Sequence, residues 1–176
     1  LNGGPGCLGG CFVHEKYANK PDIPRFSGWW GHQQKTRFQM GPEFHLTPGA
    51  EGWQISNPPI LPMATLRASL EIFDQAGMSR LRQKADRLTG YLEFLLNQKP
   101  QSHVSLITPI DPKQRGCQLS IAVRSRGKEL FQHLQNHHIR CDWREPDVVR
   151  VAPVPLYNTF LEVYQFNQAF QSFPSF

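Results

Sequence analysis

Hydrophobic periodicity is nearly absent from residues 1–60 and nearly continuous from Leu61 onward, and this asymmetry limits the chain more than any single motif. The first part alternates glycine, proline and aromatic residues. Five of its first ten residues are glycine, and Pro21, Pro24, Pro42, Pro48, Pro58 and Pro59 punctuate the remainder of the stretch. So long a loop-like stretch is uncommon in a free-standing domain. It suits the rim of a site that other polypeptide completes, and a chain opening at Leu1 in the middle of a glycine run reads as a fragment. One short strand candidate stands in it, at 10–14.

After Leu61 the pattern is regular. Leu66, Leu70 and Phe73 fall at i, i+4 and i+7, one apolar helical stripe, and Gly77 interrupts it. A second helix is expected from about Ser79, with Leu81, Ala85, Leu88, Leu92 and Leu95 as its stripe and Pro100 as its end. Strand candidates follow at 103–108, 117–123, 139–142 and 148–152, with a helix over 128–135 between the second and third. A last helix begins near Thr159, where Thr159-x-x-Glu162 has the spacing of a capping box. It carries Phe160, Val163, Tyr164 and Phe170. The order α-α-β-β-α-β-β-α predicts an α+β domain with a mostly antiparallel sheet and helices on one face.

Charge and cysteine usage exclude several classes. The net charge is +5, but the basic residues are scattered, and the densest group (Arg80, Arg82, Lys84 and Arg87) reads as a solvated helix face. No nucleic-acid partner is expected, because such binding wants a basic patch interleaved with aromatic residues. No apolar run approaches the roughly 20 residues of a membrane helix, and no signal-peptide pattern appears. Neither a disulfide framework nor a zinc site is indicated by Cys7, Cys11, Cys117 and Cys141, so reduced cytoplasmic thiols and no bound metal are expected.

Four features carry possible chemistry, each beside a plainer reading. Gly4-Pro5-Gly6-Cys7-Leu8-Gly9 matches the dinucleotide pattern G-x-G-x-x-G, but the strand before it and the helix after it are missing. Its glycines more simply let backbone pass close to a bulky neighbour. Trp29 and Trp30, flanked by Gly28 and Gly31, suit either an interface or the stacking of a planar ligand near His32. In Ser56-Asn57-Pro58-Pro59, Pro58 keeps Asn57 out of the helical region. That turn could offer an amide to a phosphate or merely connect to the helix. Arg150 sits within the apolar run Val148-Val149-Arg150-Val151-Ala152, where it either reaches solvent or grips an anion with its guanidinium fork.

Taken together, GGPG near the start, Gly28-Trp29-Trp30-Gly31-His32, the Ser56–Ile60 turn SNPPI, Gly116–Ser120 (GCQLS) and the stretch RVAPVPLYNT from Arg150 resemble the kynureninases, in order and with similar spacing. A weaker form, an Arg strand before a Tyr-Asn helix start, is shared with the wider class V-like aminotransferase group. The resemblance implies the α/β fold of fold-type-I transferases dependent on pyridoxal 5'-phosphate (PLP). Residues 1–61 would end the large cofactor domain, and 62–176 would form the small C-terminal domain. It implies a homodimer acting on the small molecule L-kynurenine or 3-hydroxykynurenine, in tryptophan catabolism.

Carried over by position, Trp29 and Asn57 match residues that contact PLP near its phosphate. Trp30 matches an aromatic position beside the substrate's aryl ring, with His32 and Ser56 nearby. Arg150 matches the arginine that holds the substrate α-carboxylate. The Schiff-base lysine of the family would lie upstream of Leu1, so no residue of this chain is assigned as catalytic. A cysteine desulfurase of the same broad class, which needs a mobile catalytic cysteine, and a non-catalytic small-domain module are the alternatives.

Overall fold

The computed structural model describes residues 4–174; Leu1, Asn2 and Gly3, the first glycine of GGPG, lie outside the described residues. Contacts divide the chain into two units, Leu1–Ile72 and Phe73–Phe176, and the division falls inside a helix.

In the first unit regular structure is sparse because prolines and glycines interrupt every apolar run. A four-residue helix α1 spans Glu15–Ala18, and a single 3-10 turn spans Ala50–Trp53. The strand candidate at 10–14 is not a strand, since no partner among the described residues pairs with it. Instead His14 caps α1, its Nδ1 accepting from the Lys16 backbone N–H. The unit is tied by backbone bonds between its loops, among them Thr47 N–H to Gly31 O (2.8 Å) and Gln33 N–H to His45 O (2.7 Å).

Helix α2 (Ile60–Ala76) and helix α3 (Met78–Gln98) form on either side of Gly77, as their periodicity predicts. Their fates differ. Leu70 on the expected α2 stripe is exposed, as are Ile60, Leu61 and Ile72. On α3 the buried stripe is Leu81, Ala85, Leu88, Leu92 and Leu96. The expected Leu95 is only partly buried: the helix advances 100° per residue, and over four turns the stripe drifts to its neighbour.

The second unit is a four-stranded sheet covered by helices. Strands β1 (Val104–Leu106), β2 (Leu119–Val123), β3 (Asp142–Arg144) and β4 (Val148–Val151) stand in the order β1-β2-β4-β3, all antiparallel. Helix α4 (Gly127–Asn136) precedes β3, and helix α5 (Phe160–Gln171) follows β4. The expected third strand at 139–142 is shifted. Ile139 and Cys141 approach the core as irregular chain, and pairing begins only at Asp142 opposite Arg150. Cys117 likewise precedes β2 instead of lying in it.

Alternation in the strands explains where the core sits. Leu119, Ile121 and Val123 of β2 and Val149 and Val151 of β4 all face the helices and are buried. Leu130 and Leu134 of α4, Leu88 and Leu92 of α3, and Val163, Phe166 and Phe170 of α5 close over them. On α5 the buried side runs through Phe166 and Phe170, while Phe160 and Tyr164 remain exposed. Each such side chain contributes about 1.5–3 kcal/mol by leaving water. The capping box on α5 is complete: Thr159 N–H donates to Glu162 Oε2 (2.7 Å), and Glu162 N–H donates to Thr159 Oγ1 (3.2 Å).

The loop between β1 and β2 is anchored by a buried ion pair the periodicity gives no hint of. Arg115, its side chain 2% exposed, donates to Glu93 of α3 at 2.7 Å. Arg82, expected on a solvated face, donates to the Arg115 carbonyl (2.8 Å) and pairs with Asp86 (2.8 Å). Among the described residues no helix is long and apolar enough to cross a membrane.

Candidate functional site

In the first unit the Gly-Trp-Trp-Gly segment lies against the chain at 52–55, and the two glycines are the reason it can. A Cβ on Gly28 would overlap the Ile55 backbone, and one on Gly31 would stand 2.8 Å from the Gly52 carbonyl. Only hydrogen fits at either place. With the backbones this close, the Trp30 indole N–H donates to Asn57 Oδ1. An indole can only donate, so the amide oxygen must face Trp30, and the amide N–H2 of exposed Asn57 is turned elsewhere.

Arg37 straps the same segment. Its Nη2 donates to the carbonyls of Trp30 (3.2 Å) and His32 (3.0 Å), and its guanidinium lies 4.7 Å from the Trp30 ring centre. Trp29 packs edge-on against Phe38, ring centres 5.1 Å apart, and still leaves 46% of its surface exposed. His32 shares a hydrogen with Thr36 Oγ1 at 2.9 Å, and the edges of Phe44 and His45 confine its ring. Ser56 is exposed, and its carbonyl accepts from Gln54 Nε2 (3.0 Å).

This unit therefore brings together Trp30 and Asn57 directly, with Trp29, His32 and Ser56 as chain neighbours of one or the other. Trp29 and Asn57 carry N–H donors, a set suited to anionic oxygens, and among the described residues neither is found bonded to a carboxylate. Two grooves of the unit share Trp53 as a wall, one lined also by Pro24 and Phe26, the other by Phe12 and Tyr17. None of the residues singled out from sequence lines them.

Arg150 belongs to the second unit, on the sheet face turned away from the core. Ser120, Arg150 and Asp142 stand in register across β2, β4 and β3. Arg150 Nε donates to Asp142 Oδ2 at 2.7 Å, and Nη2 donates to the same oxygen. Arg144 Nε approaches that oxygen to 3.2 Å. The Arg150 bonds, with the charge of Arg144 beside them, hold the Asp142 carboxyl below the usual carboxylate range. Arg150 keeps 30% of its side chain exposed. Sequence reasoning named the arginine and missed Asp142 and Arg37. Asp142 could have been found only with the hairpin register, which sets the two opposite charges facing each other as a stabilising strand pair.

All four cysteines are free thiols. Burial pushes the Cys141 thiol up to about 11, and the charge of Asp142 adds to this.

Comparison with known proteins adds to this picture. A family model described as the kynureninase C-terminal domain matches residues 81–170. A kynureninase of Koribacter versatilis (strain Ellin345) is 59% identical over 97% of this chain, which covers 40% of it. One from Myxococcus xanthus (strain DK1622) is 60% identical over 94%, with 39% of it covered. The chain thus spans about two fifths of the length of these relatives. Among solved structures it is similar to a mutant of C-DES with glycine covalently linked to the PLP cofactor (TM-score 0.64, 20% identity, 86% of this chain and 38% of that one). It is similar too to an apo cysteine desulfurase from Thermococcus onnurineus NA1 (TM-score 0.64, 16% identity, 90% of this chain and 41% of that one). At such identities the likeness concerns the fold, and the α/β architecture expected from sequence is the one found.

Proposed function

The chain belongs to the kynureninase family, and from that premise we propose that it is the C-terminal portion of a PLP-dependent enzyme that hydrolyses L-kynurenine, or 3-hydroxykynurenine, to anthranilate, or 3-hydroxyanthranilate, and L-alanine. The observation that carries this reading is that the likeness to kynureninases runs through both units, so the Trp30–Asn57 clamp and the Arg150 row both belong to it. The complete enzyme would be a cytoplasmic homodimer with a shared active site. Its Schiff-base lysine would lie in the part of the protein outside this chain.

The chemistry that PLP supplies when bound is an electron sink next to the substrate amine. The residues of this chain position what that chemistry acts on. Trp29 and Asn57 would hold the cofactor's phosphate end, and the donor set they present fits an anion of that kind. Trp30, fixed by Arg37 and by its bond to Asn57, would flank the aryl ring, with His32 and Ser56 at its edge. Arg150 would bind the α-carboxylate, so that the bond to be broken is held at the required angle. Such positioning is worth several kcal/mol in general.

The cysteine desulfurase alternative is the more distant one: the desulfurase to which the chain is similar is 16% identical to it, against 59% and 60% for the two kynureninases. A non-catalytic module leaves the exposed Trp29 and Trp30 without a use.

Mixing the complete, PLP-loaded protein with L-kynurenine and following anthranilate fluorescence tests the proposal. Steady release that requires PLP supports it. Bound PLP without release would move the protein to another reaction of the same fold. Arg150→Ala should lower kcat/KM about a hundredfold with the PLP absorbance retained.

A further inference from the structure

Arg150 needs a fixed direction to hold a carboxylate, and an arginine on an open sheet face has many. Its long side chain has several rotatable bonds whose freedom must be given up on binding. The structure shows one group that removes this freedom. Asp142, directly opposite on β3, takes both Nε and Nη2 of the guanidinium on a single oxygen. Among the described residues no bond to Nη1 is found, so the end-on edge formed by Nη1 and the second hydrogen of Nη2 is open.

Charge points the same way. Arg144 and Arg150 share the one carboxylate of Asp142, which leaves these three side chains with an excess of one positive charge. A lone Arg–Asp pair would be neutral and would gain less from a second anion. Here a ligand carboxylate completes the charge balance and meets a fork already aligned for bidentate bonding.

We propose that Asp142 is a positioning residue for ligand binding: it locks the side edge of the Arg150 guanidinium and presents the end edge to the carboxylate of an amino-acid substrate. This rests on the reading of Arg150 as the carboxylate-binding arginine. Asp142 does not touch the substrate. It acts through Arg150, and its effect is confined to ligands that carry the carboxylate.

The test uses the complete PLP-loaded protein and two ligands, L-kynurenine and its decarboxylated analogue. Asp142→Ala should raise KM for L-kynurenine about tenfold, the scale of losing a charged hydrogen bond, with a smaller change in kcat. Affinity for the decarboxylated analogue, measured as competitive inhibition, should stay as in the parent, which also certifies the fold. Asp142→Asn, which keeps an acceptor and loses the charge, should fall between. In an Arg150→Ala background the Asp142→Ala change should have no further effect, because the two act as one unit. Equal weakening of both ligands would reduce Asp142 to a structural role and overturn the proposal, as would an unchanged KM for L-kynurenine. If Arg150→Ala itself leaves kynurenine affinity intact, the assignment of Arg150 fails, and that outcome is distinct from failure of Asp142 alone.

Discussion

The unit Phe73–Phe176 has a core of large side chains turned inward: Phe170 is 2% exposed, and Leu88 and Ile121 are fully buried. In Leu1–Ile72 several large side chains turn outward instead, with Phe12 at 86% and Phe26 at 83% exposed. The second unit is held by side chains interlocked around a sheet, and the first by backbone lying against backbone. The contrast teaches that they respond to opposite insults. Removing carbon damages the second, and adding carbon damages the first.

The largest effect should come from truncation in the helical layer. Phe170→Ala is expected to destabilise the protein by about 3–5 kcal/mol, read from the denaturant midpoint. A loss below about 1 kcal/mol would mean that this core is not where the stability resides. Next comes the opposite operation. Gly28→Ala adds one methyl group where the Ile55 backbone already fills the space, and should cost about 1–3 kcal/mol in the same measurement. A neutral result would show that the two loops part without penalty.

Smaller effects sharpen the contrast at the level of ligands. Trp29→Ala should raise the PLP dissociation constant roughly tenfold, the scale of one lost aromatic contact, while Arg150→Ala leaves it in place. If the two variants exchanged phenotypes, the division of labour between the units would be reversed. The smallest effect is expected for Phe26→Ala, whose unfolding free energy in this chain should stay within about 0.5 kcal/mol of the parent. A larger loss in the complete protein would reveal that other polypeptide covers Phe26 there.

The same contrast decides what could be read from the sequence. The second unit satisfies its own pattern, so its helices, three of its four strands and the Thr159–Glu162 box were legible from spacing. Where reading slipped, local pattern and pairing disagreed. Ile139 and Cys141 alternate like a strand, yet hydrogen bonding starts at Asp142 because that is where β4 lies opposite. The strand expected at 10–14 failed because a strand needs a partner, and none of the described residues supplies one. At the site, Gly28–His32 read as an interface or a stacking surface, and a close backbone approach was expected instead at Gly4–Gly9, where an added Cβ would meet nothing; the tight glycines are Gly28 and Gly31. The bond from Trp30 to Asn57 spans 27 residues, beyond any local rule. Arg150 was visible as a charge in an apolar strand, whereas Asp142 needed the hairpin register before its role could be seen.

The position of Arg150 within the sheet also has a consequence in time. It lies on β4, which is flanked by β2 on one side and β3 on the other, so it sits on an interior strand. Edge strands fray on short timescales, while interior strands open only with the cooperative unit around them. The backbone that carries the arginine there keeps its place through transient openings that loosen β1 or β3. Asp142, on the edge strand, does not share that persistence, so the guanidinium can lose its lock for brief intervals without the backbone beneath it moving.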